Sequence, residues 1–149
     1  MRRAGINISA PNLTSICIDG IHSQGYWGRV YHKYEEEPQI FKDIGNIFRI
    51  MEWLFERSGY PQSSTLNRYF KACGENKAKE EVSQVADVDH VLNQNGDLAT
   101  FIVHVKHRQY STWQGEVFWA ERNEKRNFRS ALELLKLIDN ALEDEEIED

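Results

Sequence analysis

The sequence predicts an α+β domain, a pseudo-duplicated ββα–ββα chain whose antiparallel sheet of about four strands carries two helices on one face. Three observations carry this reading. Residues 14–55 and 101–142 share one gapless order of strand, turn, strand, turn and amphipathic helix, 87 positions apart. Gly28, Val30, Glu37 and Phe41 are identical to Gly115, Val117, Glu124 and Phe128, and charge sign is kept at Lys42/Arg129, Arg49/Lys136 and Glu52/Asp139. Finally, 149 residues with ordinary apolar and charged fractions suit one hydrophobic core.

Taken in order, residues 1–12 hold Pro11 and no periodicity, and read as a flexible arm before a single domain over 13–142. Leu13 to Ile21 alternates as a strand, and His22-Ser23-Gln24-Gly25 supplies a turn. Gly28 to Tyr34 is the return strand, ended by Glu35-Glu36-Glu37-Pro38, because proline cannot donate to a ladder. Asp43 caps a helix whose Ile44, Ile47, Phe48, Met51, Leu54 and Phe55 form one stripe, stopped by Gly59 and Pro61.

Residues 60–98 form a variable middle segment belonging to neither copy. Thr65 to Lys71 reads as a short strand, Gly74 to Gln84 as a mobile Lys/Glu-rich stretch, and Val85 to Leu92 as a short helix closed by Asn95-Gly96-Asp97. In the second copy Thr100 to Arg108 alternates, Gln109 to Gly115 reads as a loop, and Glu116 to Arg122 as the paired strand. Ser130-Ala131-Leu132-Glu133 is a capping box at the head of the second helix. The last seven residues, 143–149, hold six acids and read as a solubilising acidic tail; without them the net charge of −6 becomes zero.

Composition excludes several classes. No run approaches the roughly 18 apolar residues of a membrane span, and polar residues interrupt any signal-peptide core after Met1-Arg2-Arg3, so a cytoplasmic protein is expected. Cys17 and Cys73 lie far apart and outside CxxC spacing, which reads as two free thiols. The chain has no glycine-rich phosphate loop, no GxSxG elbow and no HExxH. His104 and His107 fall on opposite faces of a regular strand and can share a metal only across a bulge. No catalytic residue, cofactor or metal is therefore assigned, and a non-enzyme is expected.

The suggestive constellation is basic and aromatic. With Val30 and Val117 facing the helices, Arg29, Tyr31, Lys33, His104, Lys106, Arg108 and Phe118 share the opposite, open face. Tyr26, Trp27, Tyr110 and Trp113 sit in or beside the two hairpin loops, and Tyr26 and Trp113 occupy equivalent positions. A loop tryptophan is a natural interface anchor, or else folds back over the sheet edge. Basic and aromatic side chains on an open sheet can also stack and neutralise single-stranded nucleic acid, although zero domain charge gives no strong positive field.

The strings Thr112-Trp113-Gln114-Gly115 and Phe128-Arg129-Ser130-Ala131-Leu132-Glu133-Leu134, with Arg108-Gln109, Trp119, Gly28-Arg29-Val30-Tyr31 and Pro61-Gln62-Ser63-Ser64-Thr65, resemble a group of small uncharacterised bacterial proteins. That resemblance spans most of the chain and implies no activity and no catalytic residues. The expectation from sequence is a non-catalytic module that binds a protein partner or itself through the open face and the Trp113 loop, with Tyr26, Arg29, Tyr31, Lys33, His104, Lys106, Arg108, Tyr110, Trp113 and Phe118 as contact residues. A nucleic-acid-binding adaptor or inhibitor using the same face is the alternative.

Overall fold

Alternating apolar residues, a proline-bearing acidic stretch and two capped amphipathic segments set the order of elements in the computed structural model, which describes residues 10–23, 25–59, 84–109 and 112–147. Three strands come first: β1 (Thr14–His22), β2 (Gly25–His32) and β3 (Glu35–Phe41). Helix α1 (Ile44–Ser58) follows, then the short α2 (Val88–Leu92). Strands β4 (Ala99–Gln109) and β5 (Thr112–Trp119), a 3-10 turn over Ala120–Arg122, β6 (Glu124–Phe128) and α3 (Ala131–Ile147) complete the chain. All strands join one antiparallel sheet in the order β3-β2-β1-β4-β5-β6.

The α+β class and the antiparallel sheet agree with the sequence reading, but the sheet has six strands, where about four were expected. The ββα unit is corrected with it, because each half carries a third strand before its helix. Both extra strands are edges. Pro38 and Glu35 to Glu37 occupy β3, while Glu124, Lys125, Arg126 and Asn127 of β6 are all exposed. Charge and proline blunt an edge against pairing with another chain, and they also erase the apolar alternation by which a strand is recognised. Thr112 to Gly115, read as loop, belongs to β5.

The helix signals hold. The Asp43 side chain accepts from the Asn46 amide, and Gly59 closes α1 in the left-handed conformation, φ 69°. The Ser130 hydroxyl accepts from the Glu133 amide at 3.0 Å to start α3, which continues past residue 142 to Ile147. Asp87 caps α2, later than the expected start at Val85. The readings of Thr65 to Lys71 as a strand and of Gly74 to Ser83 as mobile lie outside the described residues, as do Cys73 and the arm up to residue 9.

One core joins the helices to the sheet: Ile16, Val30, Phe41, Phe101, Val103, Val117 and Phe128 from the strands meet Met51, Phe55, Leu134 and Ile138. A smaller cluster lies on the opposite face, where Leu13, Val91 and Leu92 cover Ile102 and Phe118. That face is therefore not the open platform expected from sequence. Residues just before β1 and the α2 turn of the middle segment cover its centre, because Ile102 and Phe118 are too apolar to leave in water.

The two halves share their register position by position. Ile16↔Val30, Cys17↔Arg29 and Ile18↔Gly28 in one correspond to Val103↔Val117, His104↔Glu116 and Val105↔Gly115 in the other. Each hairpin then slips by one residue, between Ile18 and Gly20 and between Val105 and His107. Gly28↔Phe41 likewise corresponds to Gly115↔Phe128. A side chain at Gly28 would overlap the Cys17 carbonyl oxygen, and one at Gly115 the His104 carbonyl oxygen, so close strand approach fixes glycine at both positions.

Candidate functional site

Strand periodicity places side chains on a face only while the register is regular, and the two bulges decide where the expected contact residues go. Up to Val105, alternation holds: Arg29, Tyr31, His104 and Phe118 lie on the face away from α1 and α3. Past the extra residue Lys106, parity reverses. His107↔Gln114 take the far face and Arg108↔Trp113 the helix face. Arg108, assigned to the open face from sequence, is thereby corrected to the helix side, and Trp113, read as part of a hairpin loop, lies on that side by regular alternation with Gly115 and Val117 along β5.

Trp113 is 3% exposed and packs edge-on against Phe48 and Phe55, with ring centroids 5.2 Å away in each case. Its indole nitrogen donates to Glu52 at 2.6 Å. Arg108, buried to 6% exposure, lies over the Phe55 ring and holds Glu52 and Glu56 at 3.1 and 3.2 Å. Together they lock α1 of the first half onto the second hairpin. Tyr26 is also buried on this side, and its hydroxyl donates to Asp139 of α3. These residues serve the core, and none of them forms an exposed hairpin anchor.

On the far face, Arg29 makes a paired contact with Asp19 at 2.9 and 3.0 Å and also donates to the Tyr31 hydroxyl and the Asn95 carbonyl. Burial opposes ionisation of Asp19, but Arg29 and the Asp97 amide outweigh it and hold the carboxyl below its usual range. Tyr31 is buried, its ring edge-on to His90 of α2. The network fastens the loop before β4 to the sheet.

The second half holds a matching cluster. Lys106 and Lys125 each reach the buried Glu116 at 2.8 Å. Burial again opposes ionisation, and the two ammonium groups overcome it, keeping the Glu116 carboxyl low. His104 beside it is buried, and desolvation pushes its imidazole below the ordinary histidine value. Glu116 and Lys125 escaped the sequence reading. The pairing of Glu116 with Lys106 across a bulge has no fixed spacing in sequence, and Lys125 sits on an edge strand that carries no alternation.

Lys33 is buried just past β2, and its carbonyl accepts from the amides of Val85 and Ala86. Phe118 is buried beneath α2, and Tyr110 lies outside the described residues. Cys17 is fully buried, and burial raises its thiol to about 11, far from the thiolate a nucleophile needs at neutral pH. The bulge brings His107 to the face of His104, but the described residues hold no group of three His, Cys, Asp or Glu able to take a metal ion.

What remains exposed and apolar on the far face is elsewhere. Trp27 is 45% exposed and packs its indole against Gly20, while Ile40 on β3 is 61% exposed. Ile40 pairs with Arg29, two residues from Trp27 along β2, so the two apolar side chains flank the Arg29 network on one face. No protein-family model, curated protein or solved structure matches the chain. The site is accordingly defined by its own geometry. Among the described residues, no helix is long and apolar enough to cross a membrane.

The equivalent positions in the second half give an internal comparison. Gln114 stands where the first half has Trp27, and Asn127 where it has Ile40, in the same register. The architecture thus accommodates polar residues at both places. From sequence Trp27 reads only as a residue beside a hairpin loop. The signal that could have singled it out was the glutamine, Gln114, that stands 87 positions on.

Proposed function

We propose that this chain is a non-catalytic protein-interaction module that docks a polypeptide partner on the Trp27–Ile40 corner of the far sheet face. The observation that carries the reading is the pair of large apolar side chains left exposed in one half, at positions the other half fills with glutamine and asparagine. A large aromatic with an aliphatic neighbour and a neutralised Arg29 between them is the composition of an interface core. The Trp113 anchor of the sequence reading is replaced here, since Trp113 serves the core. In the same reading the chain is a pseudo-duplicated βββα–βββα domain in which only the first copy carries the contact surface.

The nucleic-acid alternative has weaker support. Arg29, Lys106, Lys125 and Arg108 each hold a carboxylate, which leaves these cations little charge to offer a phosphate backbone.

The test is a photo-cross-linking amino acid placed at position 27 and, separately, at the equivalent position 114, in the cells that make the protein. The reading expects a discrete polypeptide adduct from position 27, its loss on Ile40→Asn, and none from position 114. The adduct mass distinguishes a second copy of the chain from a different protein. Equal labelling at both positions, or none at 27, would reject the reading.

A further inference from the structure

We infer that the molecule is the single-chain counterpart of a homodimer, in which each βββα half carries a self-complementary interface for a second copy of itself. In a two-fold assembly, if residue i of one copy touches residue j of the other, then j touches i as well. Part of the seam and one pair of helix-face hydrogen bonds between the halves of this chain follow that rule, while the Arg108 ion pairs with Glu52 and Glu56 belong to one side alone.

The seam between the halves is the β1–β4 pairing, which includes Ser15↔Ile102. Those two residues are 87 positions apart, the shift that relates the copies, so the pair maps onto itself. Its neighbours Thr14↔Val103 and Ile16↔Phe101 exchange with each other under the same shift. On the helix face the rule is met again by side chains. The Tyr26 hydroxyl of the first hairpin donates to Asp139 of the second helix, and the Trp113 indole of the second hairpin donates to Glu52 of the first helix. Position 26 shifts to 113 and position 52 to 139, so these are one contact made twice, each half reaching an aromatic donor across to the other half's helix.

The far face shows the same equivalence with charge reversed. Asp19, the extra residue of the first bulge, pairs with Arg29. Lys106, the extra residue of the second bulge, pairs with Glu116. Equivalent positions hold an ion pair of opposite polarity, which needs two coupled changes to arise from a common ancestor and keeps each bulge neutralised. The partner that such a half is built to bind is another copy of the half, and the covalent stretch between α1 and β4 adds proximity and, through Val91 and Leu92, a cover over Ile102 and Phe118, without supplying the seam or the helix-face contacts.

Two whole-chain experiments test this. A circular permutant that begins at residue 84 and joins the old ends through a flexible linker as long as the 59–98 stretch exchanges one covalent link for its symmetry equivalent. It is expected to be monomeric by sedimentation and to unfold cooperatively within about 5 °C of the parent. Independently, Arg29→Glu lowers the melting temperature, and adding Asp19→Lys, which installs the second half's polarity in the first, recovers at least half of that loss. Failure of the double variant to recover overturns the equivalence of the halves whatever the permutant does. A permutant that cannot fold beside a double variant that recovers overturns the independence from the covalent link.

Discussion

Replacing Trp113 by alanine tests the placement on which the helix-face architecture depends. The side chain is almost fully buried between Phe48 and Phe55 and hydrogen-bonded to Glu52. Removal of a buried Trp or Phe costs about 3–5 kcal/mol when the cavity only partly collapses. The lost hydrogen bond adds little, because Glu52 keeps Arg108 as a partner. A loss of about 4 kcal/mol is a large share of the roughly 5–15 kcal/mol that holds a domain folded. For a domain of this size it corresponds to a fall in melting temperature of roughly 8–16 °C. Urea unfolding at neutral pH, followed by far-UV circular dichroism, reads the change directly, with the slope unaltered if only the native packing is touched. Trp113→Phe retains most of the ring and should cost about 1–2 kcal/mol. A Trp113→Ala protein within about 1 kcal/mol of the parent would show that the indole is a surface group and that the register past the β4 bulge is wrong.

Gly28→Ala and Gly115→Ala should each destabilise by more than about 2 kcal/mol, since the new methyl meets a backbone carbonyl that cannot move without opening the hairpin. Matching losses in the two variants are expected from the shared register, and a neutral result at either in the same urea assay would contradict the close strand approach there. Stability should also fall on acidification in two steps. His32 and His104 titrate below the ordinary histidine value because burial disfavours their charged forms, so the unfolded chain takes up protons first, and stability present above about pH 6.5 is lost as pH drops through that region. Asp19 and Glu116, held low in the fold, contribute stability that is lost below about pH 4. Urea midpoints at pH 7.5, 5.5 and 3.5 test both steps, and His32→Gln should flatten the upper one. A midpoint that does not change between pH 7.5 and 5.5 would refute it.

The parts of this fold that were legible in sequence are those governed by local rules. Asp43, Gly59 and Ser130 mark helix ends because capping uses residues three or four positions apart, and the inner strands alternate because one of their faces is buried. The edge strands β3 and β6 were hidden by the charges that protect them. The bulge after Val105 was invisible because a single unpaired residue leaves no compositional mark, yet it reversed the face of Arg108, while Trp113 was lost as an anchor because Thr112 to Gly115 reads as loop but extends β5 with Trp113 on the helix side. The 87-residue spacing was legible and the two hairpins match in register across it, but the expected ββα unit is not what the fold shows, since each half carries a third strand. The proposed contact corner at Trp27 and Ile40 depends on Ile40 lying on an edge strand, which leaves no alternation in the sequence to mark it.

The seam at β1 and β4 also sets a schedule for synthesis. Ile16 and Phe101 pair across 85 intervening steps of chain, whereas each hairpin closes on neighbours only a few residues away. Loop closure over that distance is slow relative to hairpin formation. While the ribosome is still producing the second half, the first half waits with β1 as a bare edge, and the stretch of that strand from Thr14 to Ile18 that pairs with β4 has none of the charge or proline that guards β3 and β6. Two nascent or partly unfolded chains that meet in this interval can complete each other's sheet, so refolding at high concentration should yield exchanged dimers that dilution before refolding avoids.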